Sequence, residues 1–138
     1  MAVIASERKE GKLLFLIEAK ELQALTEKIL MNENYVPKKY RYCWFQHVIK
    51  IAMDVFCDVR RANSIYPQSK KQLQRRLSYL TRAEENTYAL MSQIDMAKST
   101  QTKINKNVMN EWEKLCANTR KHISLRIKGD LENFKNLS

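Results

Sequence analysis

The sequence predicts an all-α protein, an antiparallel up-down-up-down four-helix bundle spanning residues 1–138 as one domain. Two observations predict the class. The 138 residues include only two glycines and two prolines, and neither Asn-Gly nor Asp-Gly occurs, which leaves too little turn material for a sheet protein. Apolar residues instead recur at helical spacing over four long segments joined by short polar breaks. A chain of this length supports one core but not two.

The first segment runs from about Lys12 to Met31, with Leu14, Leu22, Leu25 and Ile29 on one face, Phe15 at its edge and Glu18 within the stripe. Asn32 and Asn34 stop it, and Pro37 forces Val36 into an extended conformation. The second runs from about Lys39 to Ile65. Trp44, Val48, Ala52, Val55, Val59 and Ala62 line its broad apolar side, which Phe45, Ile49, Ile51 and Phe56 widen. That face is wider than one bundle core needs, so a homo-oligomer is expected to bury part of it. The third, from Ser69 to about Lys98, stacks Leu73, Leu77, Leu80, Thr87, Met91 and Ile94, with Arg76 and Glu84 beside the stripe. A polar break at 99–103 precedes the fourth, about Ile104 to Lys128, whose face carries Val108, Trp112, Leu115, Thr119 and Ile123. Gly129 reads as a C-cap, which leaves a core of about 12–128 and a flexible tail at 129–138.

Little here resembles catalysis. Two glycines 118 positions apart make no phosphate loop, and the chain has neither His-Glu-x-x-His nor any Glu-x-x-His. Three scattered cysteines without a Cys-x-x-Cys pair argue against a disulfide framework or a zinc site. Cys43 and His47, four apart, form the one nucleophile–base spacing worth naming, and coincidence on a polar surface explains it far better. Glu18 and Glu84 are read as structural carboxylates, each meeting a buried arginine such as Arg41 or Arg76. No cofactor, metal or catalytic residue is expected. The longest apolar run, Leu13 to Ile17, is too short to span a membrane, and a cytoplasmic protein is expected.

Charge is the informative quantity. Of 25 basic and 15 acidic residues, giving +10, residues 38–82 hold 11 basic and 2 acidic. A surface of that kind attracts polyanions, because phosphates release counterions when lysines and arginines neutralise them. Lys38 and Lys39 precede the second helix, Lys50 lies on its outer side, and Arg60 and Arg61 lie near its end. Lys70, Lys71, Arg75, Arg76 and Arg82 follow on the third. With these helices as antiparallel neighbours, Arg60, Arg61, Lys70, Lys71 and Arg75 converge at one end and Lys38 and Lys39 lie at the other. Tyr40 and Tyr42 are positioned either to stack on bases or to serve as partial core.

The run Val36-Pro-Lys-Lys-Tyr-Arg41, a helix ending Arg-Arg-Ala-Asn63, and Arg76-Leu-Ser-Tyr-Leu80 followed by Ala83 resemble the accessory variability proteins (Avd) of diversity-generating retroelements. That four-helix-bundle family is related to the proteins of 23S ribosomal RNA intervening sequences. Pro37, Lys38 and Arg41 match its proline-lysine-x-x-arginine pattern, Ala62 and Asn63 its helix end, and Arg75 or Arg76 the arginine opening its third helix. The likeness covers about residues 12–127, although the family's Gly-Gly-Trp ending is absent. It implies a pentameric barrel that binds a reverse transcriptase and its template-repeat RNA and supports mutagenic cDNA synthesis without catalytic residues of its own. The charge pattern alone also fits an interaction module that docks an acidic protein and never touches RNA.

Overall fold

Four long helices build the fold: α1 (Ala2–Leu30), α2 (Gln46–Asn63), α3 (Lys70–Ser99) and α4 (Lys106–Asn133). The computed structural model describes residues 2–100 and 103–138, with residues 2–13 described by backbone alone. Residues 101 and 102 of the expected polar break, and the side chain of Lys12 at the expected start of the first helix, therefore lie outside the described residues. No strand occurs among the described residues. α2 packs on α1 and α3, and α4 packs on the same two, so every helix has two neighbours around a shared core.

Local chemistry sets the breaks. Pro37 holds its backbone at φ −58° and ψ 147°, which no helix can continue through. Ser69 caps α3 by accepting from the Gln72 amide at 3.2 Å, while the Gln72 side chain accepts from the Gln68 amide at 2.7 Å. Asn105 caps α4 by accepting from the Asn107 amide at 2.8 Å. The expected second helix is not uniform, however. Lys38–Tyr40 forms a 3₁₀ turn and Arg41–Phe45 a wide π turn before regular α geometry begins at Gln46.

Two apolar clusters fill the interior. One surrounds Leu22, Ile29, Val48, Leu90, Ile94 and the fully buried Trp112; the other surrounds Phe15, Val55, Val59, Leu80 and Ile123. Burying each such side chain contributes about 1.5–3 kcal/mol before entropy is counted. Trp112 brings one polar atom inside, and its Nε1 donates to Thr26 Oγ1 at 2.9 Å. Thr26 in turn donates to the Leu22 carbonyl at 2.7 Å, so neither group is left unpaired.

Several sequence expectations are corrected. The backbone of α1 is helical from Ala2, upstream of the expected start. On α1 Leu22 and Ile29 are buried as expected and Leu25 packs against the core. Leu14, however, is exposed, and Phe15, with Ala19 and Thr26, faces inward in its place. Glu18 pairs with His122, 2.5 Å from its Nδ1, rather than with an arginine. Glu84 accepts from the Ser124 hydroxyl, and Arg41 lies over the Phe45 ring. Gly129 is an ordinary helical residue without positive φ, so it caps nothing, and α4 continues to Asn133.

The physical reason for that extension is Asp130. It is fully buried and receives two hydrogen bonds from Arg76, from Nε at 2.7 Å and from an Nη at 3.2 Å. The remaining Arg76 Nη donates to the Ile65 carbonyl at 2.8 Å and reaches that of Ala62 at 3.4 Å. One guanidinium thus ties together the end of α2, the start of α3 and the end of α4. The tail is docked as well, since the Lys70 amide donates to the Ser138 carbonyl at 3.2 Å. Side chains tie other elements together: Trp44 Nε1 donates to Gln93 at 2.9 Å, and Lys98 bonds Glu113 at 2.6 Å.

Replacing Arg76 with methionine strands Asp130 in an apolar setting and should cost about 3–5 kcal/mol in urea unfolding. The lower end is expected, because Arg126 Nε stands 3.6 Å from the same carboxylate. The double variant Arg76→Met/Asp130→Leu should recover most of the loss, and a single variant as stable as the parent would refute the clamp.

Candidate nucleic-acid interface

The ten cations singled out in the sequence divide by what they touch. Arg76 is 3% exposed and committed to Asp130, so it is removed from any binding surface. Arg61 and Arg82 both reach into Asp58, whose side chain is only 2% exposed. Arg82 donates from Nε at 2.8 Å and from an Nη at 2.7 Å, and Arg61 donates at 2.9 Å. These two are held in fixed positions, with their charge offset in part by the carboxylate they share. Lys50 bonds Asp54 at 2.9 Å on the outer face of α2, and Lys38 stands 3.3 Å from Glu33.

The other five have no carboxylate partner among the described residues. Lys39 lies over the Tyr40 ring, 5.3 Å from its centroid, and Arg60 lies 5.6 Å from that of Phe56. Lys70, Lys71 and Arg75 are exposed on the first turns of α3. The connection at 64–69, closed by the Arg76 bonds to Ala62 and Ile65, brings Arg60 to the end of the fold that holds those three. Of the expected cluster, Arg60, Lys70, Lys71 and Arg75 are exposed cations without a carboxylate partner among the described residues, and Arg61 follows Arg60 in the chain. Lys38 and Lys39 sit at the other end, where Trp44 meets Gln93.

Two features at these ends escaped sequence reasoning. Tyr66 is exposed in the 64–69 connection and meets Phe134 edge-on at 5.8 Å, so an aromatic stands among the unpaired cations. Its place beside a proline in a loop was the available signal. At the far end, Tyr40, Trp44, Gln93, Met96 and Thr100 surround a cleft of about 180 Å³. Only its Tyr40 wall was foreseen, because Gln93 and Met96 lie about 50 residues further along the chain.

The remaining candidates for chemistry are placed as follows. Cys43 and His47 are both exposed, and the Cys43 thiol is directed to the Lys39 carbonyl at 3.8 Å. Cys116 is buried, which pushes its thiol up to about 12, and it donates to the Thr87 carbonyl at 3.3 Å. It stays a neutral thiol at physiological pH. Among the described residues no group of three His, Cys, Asp or Glu side chains is placed to hold a metal ion. No helix among them is long and apolar enough to cross a membrane.

Compared with protein-family models, curated proteins and solved structures, the chain matches none.

Asp58 supplies a pH test of the division between clamping and unpaired cations. Burial by itself would raise its pKa, but the hydrogen bonds and charges of Arg82 and Arg61 outweigh burial and hold it below the ordinary 3.8. The folded value is depressed, so this stabilisation is complete above about 3.8 and is lost as pH falls through the lower folded value. Thermal melts of Asp58→Asn should lack that part of the acid dependence. An acid limb identical to the parent's would show that the clamp contributes nothing.

Proposed function

We propose that the protein is a non-enzymatic, RNA-binding accessory bundle, with its helices antiparallel in up-down-up-down order. The observation that carries RNA binding is the set of exposed cations without carboxylate partners, Arg60, Lys70, Lys71 and Arg75 at one end and Lys39 at the other. A solvated lysine or arginine facing no anion is free to neutralise a phosphate, and a series along one side of a bundle suits an extended backbone. The helix order is supported by the bond of Trp44, just before α2, to Gln93, near the end of α3, and by that of Lys98, at the end of α3, to Glu113, early in α4.

The finer reading follows the resemblance at Pro37-Lys-Lys-Tyr-Arg41 and Arg76-Leu-Ser-Tyr-Leu80. On it, the bundle holds a reverse transcriptase and its template-repeat RNA together in the cytoplasm and supports mutagenic cDNA synthesis by a diversity-generating retroelement. A homopentamer is the assembly the resemblance implies. The partly exposed Met53, with half-buried Ile49 and Phe56, offers apolar surface on α2 for such an assembly. Light scattering at micromolar concentration should then report an oligomer, and a monomer would remove this part of the proposal.

Changing Arg60, Lys70, Lys71 and Arg75 together to glutamine should weaken single-stranded RNA binding for all sequences about equally. The slope of log affinity against log salt should become shallower by up to roughly 3, about 0.7 for each lost phosphate contact. The helical circular dichroism should be unchanged, because none of the four is buried. Unchanged affinity and slope in a folded variant would transfer the surface to the rival reading, an acidic protein partner.

A further inference from the structure

We infer that the cleft between the start of α2 and the end of α3 receives one unpaired nucleobase of a bound RNA strand. This rests on the RNA reading above and adds a recognition element to a surface otherwise described only by charge. The cleft of about 180 Å³ is walled by the Tyr40 and Trp44 rings and the Met96 thioether, with almost no polar surface inside. Flat π faces and a polarisable sulfur are the groups that hold an aromatic ring by stacking and dispersion. Trp44 is fixed in place, because its Nε1 donates to Gln93 Oε1 at 2.9 Å across the helix pair. A pre-set ring loses little freedom when a base stacks on it.

The backbone explains why the cleft is there. Tyr40 ends the 3₁₀ turn and Trp44 lies within the wide π turn that follows, so the two rings do not take the spacing of a regular α-helix. Local π geometry of this kind is costly and recurs at functional sites.

Charge decides the occupant. Lys38 and Lys39 are exposed on the turn that carries Tyr40, and Lys39 Nζ lies 5.3 Å from the Tyr40 ring centroid. Exposed Lys103 is tied by its amide to the Tyr35 carbonyl at 2.9 Å, close to the segment that carries those two lysines. Among nearby acidic residues, Glu33 is bonded to Lys38 and Glu113 to Lys98, while Asp95 beside Met96 and Glu111 early in α4 are exposed. An apolar aromatic slot with cations at its rim is complementary to a nucleotide, whose flat uncharged base enters while its phosphate remains outside. An apolar peptide would leave Lys39 unmatched, and an acidic peptide has no flat group for the slot. Stacking of this kind tolerates any base, so no sequence preference is expected from it.

The test uses the full chain with two single-stranded probes of equal length, an oligouridylate and an abasic oligonucleotide with the same phosphates. The base-bearing strand should bind about 5- to 150-fold more tightly, the range for one stacked base. Trp44→Ala should close that gap and leave the salt slope unchanged, because stacking releases no counterions. Tryptophan fluorescence should be quenched on binding in the parent and not in Trp44→Phe, since the other tryptophan, Trp112, is fully buried. Met96→Ala, at an exposed position, guards against loss of fold: it should narrow the gap while abasic binding holds. Equal, salt-dependent binding of both probes would overturn the base pocket and leave the RNA reading standing. Binding of neither probe would overturn both.

Discussion

The Arg76–Asp130 pair is the constraint on which the arrangement of this protein depends. Burying a carboxylate and a guanidinium costs several kcal/mol per ion unless each is fully bonded. Here both Asp130 oxygens accept from Arg76, and Arg76 also donates to carbonyls at the end of α2. Those are backbone groups that a helix end leaves without intrahelical donors. A single side chain therefore satisfies the C-terminal carbonyls of one helix, opens the second and holds the last turn of a third. The 64–69 connection is confined in consequence, and with it the spacing between Arg60 and the cations that begin α3.

A second consequence is that positive charge is not all of one kind. Arg76 is structural, and Arg61 and Arg82 are spent on Asp58. Arg126 is another inward arginine: its Nε is buried without a hydrogen bond, and burial together with neighbouring Arg76 lowers its pKa. An excess of basic over acidic residues thus overstates the surface a polyanion would meet. Of the ten cations singled out on α2, α3 and the turn before them, those without a carboxylate partner among the described residues are a small group at one end and Lys39 beside an aromatic cleft at the other. The proposed RNA path runs between them along α2 and α3, the two helices that supply both.

Much of this was legible in the sequence, and the failures have physical causes. Helical periodicity located all four helices, and the polar punctuation at 64–69 matched the second break. Only the first member of the α1 stripe was misjudged, because Leu14 and Phe15 are both apolar and adjacent; the choice between them is made by packing partners such as Ile123. Gly129 was read as a terminus from its propensity to cap. The attraction of buried Arg76 for Asp130, 54 positions away, overrides that propensity. Arg76 was read both as a buried partner for a carboxylate and as a surface cation. It is buried, but with Asp130 rather than Glu18 or Glu84, because that partner lies far along the chain. The packing of α2 against α3 was readable from their short connection. The cleft was not, since half of it comes from Gln93 and Met96.

The central claim is that the unpaired cations on α2 and α3, rather than basic residues in general, face the nucleic acid. Lysine acetylation read by mass spectrometry, with and without single-stranded RNA, tests it residue by residue on the unmodified protein. RNA is expected to shield Lys39, Lys70 and Lys71, while Lys20 and Lys28, exposed on α1, react at the same rate in its presence. Equal shielding of the α1 lysines, or no shielding at the start of α3, would contradict it.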